Sequence, residues 1–133
     1  EYLQEHFFDS RVKRVHLDFK SLKDNLNLHA YTGIVVVTRA HEFDSICLHQ
    51  VRHVLPTYVG VMGSQKRIFH AFEVLKEEGW TQQELEMLYG PIGLDLGAQT
   101  PEEIALSIVA EYMAVSYRKQ GGFLSKKRYA HEV

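Results

Sequence analysis

Residues 58–67 read YVGVMGSQKR: an apolar run ends in Gly63-Ser64, and a Lys-Arg pair follows where a helical pattern begins. A short apolar run bounded by turn residues reads as a buried strand, and Ile68, Phe72 and Leu75 then recur at helical spacing as far as Gly79. The stretch is the joint of a strand–turn–helix unit, and its neighbours repeat the plan. Upstream, Thr32-Gly33 leads into IVVVT (34–38), a continuous β-branched run of the kind buried on both faces of a parallel sheet. From Glu42 onward, Phe43, Ile46, Cys47, Val51 and Val54 mark one face of an amphipathic helix that Pro56 ends.

Downstream, Thr81 followed by Glu84 forms a capping box that starts a short helix over TQQELEML (81–88). The irregular YGPIGLDLGAQ (89–99) comes next. Thr100-Pro101-Glu102-Glu103 then opens a last helix with a cap residue, a first-turn proline and a glutamate three positions after the cap. Ile104, Ile108, Val109, Tyr112 and Met113 give that helix its apolar stripe. Nearer the N-terminus, RVKRVHLD (11–18) reads as a short strand and SLKDNLN (21–27) as a brief helical crossover. Strands separated by helices of this length imply β-α-β units, hence a parallel α/β sheet with helices on its faces. The Gly- and Lys-rich end places a domain over 1–119 and a flexible C-terminal tail over 120–133.

With 133 residues the chain fits one domain with a real core. Fifteen basic and 17 acidic residues give a net charge of -2, which argues against a general nucleic-acid or membrane-surface binder, so any positive site has to be local. The lone cysteine, Cys47, forms no internal disulfide and suits a reducing, cytoplasmic setting. No apolar run approaches the ~20 residues of a membrane span, and EYLQEHFF lacks the regions of a signal peptide. The chain also lacks an initiator methionine, so it is expected to begin inside a longer protein.

In sheets of this type ligands bind beyond the carboxyl ends of the strands. TRAHEFD (38–44), MGSQKR (62–67) and PIGLDLGAQT (91–100) fall there. In MGSQKR, Gly63 admits close approach to the backbone, Ser64 can cap the helix, and free N–H groups with Lys66 and Arg67 favour an anion. The plainer alternative is a capped turn with two solvated cations. In TRAHEFD, His41 and Asp44 can share a helix face and move protons or ligate a metal, or the carboxylates simply suit a helix start. In PIGLDLGAQT, Gly93 and Gly97 suggest special dihedrals around Asp95, which faces either a ligand or its own backbone. GxxxxGK[ST], GxGxxG and GxSxG are absent. The remaining histidines are scattered, so no metal site is expected, and Cys47 on an apolar stripe reads as core.

Taken together, TRAHEFD, YVGVMGSQKR and PIGLDLGAQTPEEIALSIVAEYMA resemble the C-terminal domain of the XdhC/CoxI family, the accessory proteins of xanthine dehydrogenase and related molybdenum hydroxylases. The resemblance covers roughly residues 30–118. It implies a three-layer, Rossmann-like α/β fold in a chaperone that is not itself the oxidising enzyme. The chaperone binds molybdenum cofactor (molybdopterin), protects it while sulfur is installed, and delivers it to an apo-hydroxylase, with a cysteine desulfurase as a further expected partner. Carried over by position, the implied cofactor-binding residues are Thr38, His41, Asp44, Gly60, Gly63, Ser64, Lys66, Arg67, Gly93, Asp95, Gly97 and Thr100. Glu42, Pro91, Glu103 and Glu111 belong to the same pattern, and no residue is assigned a catalytic role. A pterin phosphate or another phosphate-bearing nucleotide would explain the Ser64 turn. The chain departs from the pattern at Arg39 and Ala40, where His then Asp is usual, and at Gln65, where a basic residue is common.

The resemblance also implies a missing first strand with a Gly-rich turn, and a separate domain bearing a cysteine. The sheet is then expected to expose edges and to pair with another chain, as a homo-oligomer. An NAD(P)-binding oxidoreductase domain is the alternative that the sheet pattern allows.

Overall fold

The computed structural model describes residues 3–54 and 56–126. Its regular elements are α1 (Leu22–Asn25), β1 (Gly33–Val36), α2 (His41–Val51), β2 (Tyr58–Val61), α3 (Gln65–Glu77), α4 (Gln82–Glu86), β3 (Leu88–Tyr89) and α5 (Pro101–Ser116), with short 3-10 turns before β1. The three strands are all parallel in the order β1-β2-β3, with Gly33 beside Tyr58 and Val59 beside Leu88. The expected α/β sheet with helices on both faces is formed.

Alternation along the strands decides which residues meet which layer. Val36, Val59 and Val61 point to one face, where they join Cys47, Leu48 and Val51 of α2, Ile68 and Leu75 of α3, and Trp80 in the main apolar cluster. Each fully buried aliphatic side chain there contributes about 1.5–3 kcal/mol. Tyr58 points to the other face, where it meets Tyr112 of α5 edge-on at 5.8 Å and stacks on Tyr89 of β3 at 5.0 Å. Buried on both sides, β2 is the centre of the fold and carries the site-bearing turn at its end.

Helix starts follow the residues that can cap them. The Ser64 side chain accepts from the Arg67 N–H, and full capping boxes join Thr81 to Glu84 and Thr100 to Glu103. α2 starts after Ala40, which has no capping side chain.

Three expectations fail. Residues 11–18 form no strand: Val12 and Val15 remain exposed, and only Leu17 of the three apolar residues is partly covered. Their basic neighbours make local bonds at the surface instead, Arg11 to Asp9 and Arg14 to the Leu3 carbonyl. The helix over 81–88 also ends early, at the Met87 cap, because Leu88 is buried against the core and starts β3. β1 has no neighbour on its outer side among the described residues, and Val35 and Val37 are 43% and 58% exposed.

Candidate functional site

Two of the three strand-end loops are fastened together by charge. Thr38 follows β1, Asp44 sits in the first turn of α2, and Arg67 lies in the first turn of α3. Arg67 donates to Asp44 Oδ2 from Nε at 3.0 Å and from Nη2 at 2.8 Å, and Nη2 also reaches the Thr38 carbonyl at 3.0 Å. The Thr38 hydroxyl donates to Asp44 Oδ1 at 2.5 Å. Asp44 is wholly buried, so this guanidinium compensates a charge that would otherwise be stranded in the interior. Gly63 makes room for it: a Cβ there would lie 3.0 Å from Arg67 Cδ.

The arrangement assigns the residues of the turn different tasks. Arg67 is engaged internally, Ser64 caps α3, and Lys66 remains exposed, with no side-chain hydrogen bond or ion pair among the described residues. His41 is the first residue of α2, and its side chain is outside the described part. Cys47 is buried beneath the same helix, and burial, with the nearby Asp44 charge, pushes its thiol up to about 11. It stays a thiol at neutral pH and belongs to the core. Among the described residues no group of His, Cys, Asp or Glu could hold a metal ion.

The third loop, residues 90–100, is held by backbone bonds. Ile92 N–H donates to the Val61 carbonyl at 3.2 Å, and Leu94 N–H to the Ser107 carbonyl at 3.1 Å. Gly93 N–H donates to Glu111 Oε1 at 3.0 Å, and the Tyr58 hydroxyl donates to the same oxygen at 2.6 Å. Burial pushes the Tyr58 phenol up, and the bond to Glu111 adds to the shift, so it stays a donor. Glycine is required at 93, where φ is +104° and a Cβ would stand 2.5 Å from Ser107 Oγ. At the far end of the loop, Glu103 Oε1 accepts from the N–H groups of Gln99 and Thr100, both at 2.9 Å. Between these anchors Asp95 is exposed, and no hydrogen bond to its carboxylate is formed among the described residues.

Thr38, Asp44, Gly63, Ser64 and Arg67 thus come together in one network. Gly60 and Gly93 meet across Ile92 and Tyr58: a Cβ on Gly60 would lie 2.4 Å from Ile92 Cδ1. Lys66, Asp95, Gly97 and Thr100 make no bond to the Arg67 network. Sequence reasoning missed Tyr58, Ile92 and Ser107, and it had Glu111 only through the family pattern. The available signal was the four-residue spacing of Glu103, Ser107 and Glu111, which puts them on one face of α5.

A parallel sheet flanked by helices, with helix N-termini and a Gly-containing loop at its strand ends, defines a Rossmann-like domain. The chain belongs to the XdhC Rossmann domain family, whose model matches residues 3–112. It is 29% identical over 91 residues to the molybdenum cofactor insertion chaperone PaoD of Escherichia coli (strain K12), an alignment covering 67% of this chain and 29% of PaoD. It is 32% identical over 69 residues to YqeB of the same organism, covering 52% of this chain and 13% of YqeB. Among solved structures, the crystal structure of a xanthine dehydrogenase from Bacillus halodurans matches with a TM-score of 0.67 and 29% identity, over 92% of this chain and 34% of that one. The chain therefore spans about a third or less of the length of these relatives.

Proposed function

We propose that this domain serves an accessory protein for a molybdenum hydroxylase of the xanthine dehydrogenase type, and helps bind, sulfurate and insert molybdenum cofactor. Membership of the XdhC Rossmann domain family, over residues 3–112, carries the reading. The insertion chaperone PaoD, similar over 67% of this chain, supports it. The partners in this reading are the apo-hydroxylase and a cysteine desulfurase, in the cytoplasm, with the accessory protein assembling as a homo-oligomer.

The donor set suits the phosphate end of the cofactor. Lys66 is an exposed cation in the first turn of α3, and the start of α2 lacks a capping side chain, so main-chain N–H groups there can meet an anion. Asp95, an exposed acceptor on a rigid loop, suits the amino and ring N–H donors of a pterin. Among the described residues no cluster of side chains is placed to ligate the molybdenum end, and Cys47 is buried and protonated. When bound, the cofactor supplies the oxidation chemistry of the hydroxylase. This chain would grip, orient and shield it, with no catalytic residue of its own.

In this assignment Thr38, Asp44, Gly63 and Arg67 build the wall, while Ser64, Lys66, Gly97, Thr100 and the start of α2 at His41 face the phosphate side. Titrating the intact protein with molybdenum cofactor tests the reading. Lys66→Ala and Asp95→Ala should each weaken binding about tenfold, the loss of one charge-assisted hydrogen bond. Unchanged affinity in both variants would sink the site assignment, and binding of NADP in place of the cofactor would sink the function.

A further inference from the structure

Glu103, Ser107 and Glu111 stand at four-residue intervals on α5, and together they fasten the strand-end loop along the helix. In order along the helix they hold Gln99 and Thr100, then Leu94, then Gly93. The Glu103 bonds are a local capping box, but Glu111 reaches a residue 18 positions away in sequence. Its Oε1 also accepts from Tyr58, whose ring is buried in the centre of the sheet. One oxygen therefore ties helix, loop and central strand together at a single point.

We propose that Glu111 is a positioning residue of the strand-end loops: by accepting both hydrogen bonds at Oε1 it sets where the segment from Gly93 to Gly97 stands relative to β2. It acts as an acceptor, through the loop, and its negative charge plays no part in holding ligand. Both donors are neutral, so a glutamine carbonyl oxygen with two lone pairs can replace the carboxylate oxygen. A group acting on ligand or proton through its charge could not be replaced in this way. The binding half of this proposal rests on the functional reading above; the positioning half does not.

Amide hydrogen exchange at Gly93 and Leu94, measured on the full chain beside molybdenum cofactor affinity, separates the possibilities. Glu111→Gln should match the parent in both within about twofold, because the acceptor oxygen is retained. Glu111→Ala should speed Gly93 exchange and weaken cofactor binding by about tenfold each, the worth of one hydrogen bond, with helical circular dichroism unchanged. Tyr58→Phe should leave Gly93 protected. Should Glu111→Ala fail to fold, Glu111→Gln and Tyr58→Phe still decide the matter. Loss of binding in Glu111→Gln with Gly93 protected would overturn the proposal, as would an unchanged Gly93 in a folded Glu111→Ala. If the parent binds no cofactor, the functional reading falls, while the exchange rates still test positioning.

Discussion

On the α2–α3 face of β2, the buried Asp44 meets the guanidinium of Arg67; on the α5 face, Glu111 meets a phenol and a backbone N–H, both neutral. Both clusters fasten a strand-end loop to the sheet, yet they should respond differently to the loss of one member. Removing one charge of the first leaves the other buried and uncompensated, whereas the second needs only an acceptor at the right place. The strand-end loops are thus built on one rigid joint that depends on charge and one that depends on geometry.

The largest expected effect breaks the first joint. Arg67→Ala should destabilise the chain by about 3 kcal/mol, read from urea unfolding, since Asp44 is left without its counter-charge. A loss below about 1 kcal/mol, within the range of exposed pairs, would show that Asp44 finds water or another partner. Next comes Gly60→Ala, whose new methyl would stand 2.4 Å from Ile92 and 2.8 Å from the Tyr58 hydroxyl. Overpacking should cost about 2 kcal/mol and displace the 90–100 loop, with thermal unfolding as the measurement. Glu111→Ala should follow at about 1–2 kcal/mol by the same measurement, and Glu111→Gln below about 0.5, which sharpens the contrast with Arg67 directly.

The smallest effect concerns a third, partly exposed pair, Arg52 with Glu84 at 2.7 Å. The Arg52 hydrogen bond, helped by the Thr81 N–H, holds the Glu84 carboxyl down at about 2 against an ordinary 4.5. A depressed folded-state pKa means that this stabilisation is complete above pH 4.5 and fades as pH falls toward 2. Glu84→Gln should remove that share of the acid sensitivity and change little else, as acid titration followed by circular dichroism would show. An acid transition of the same steepness in the variant would place the sensitivity elsewhere.

How much of this could be read from residues alone depended on sequence distance. YVGVM and the caps at Ser64, Thr81 and Thr100 are local signals, and each appears where the pattern puts it. IVVVT does supply a strand, but among the described residues Gly33–Val36 is an edge whose Val35 stays exposed, so burial on both faces fails there. The segment at 11–18 carried β-branched residues but no partner strand, and pairing is a property of the whole sheet. Leu88 and Tyr89 follow a helix with no turn signal between, so β3 was invisible until the core showed where Leu88 is buried. In the site, the loops were legible because fold topology places them at strand ends. The commitment of Arg67 to Asp44 was not, since 23 residues separate them and nothing local distinguishes a paired cation from a free one. Glu111 belonged to the family pattern, but its bond to Gly93 was hidden for the same reason, 18 residues separating the two.

In the proposed function the strand-end loops grip the phosphate of the cofactor. Comparing the affinity of the intact protein for molybdopterin with and without its terminal phosphate tests that grip directly. Loss of the phosphate should weaken binding about 10- to 100-fold, the worth of one or two charge-assisted hydrogen bonds. Equal affinity for the two forms would contradict the account.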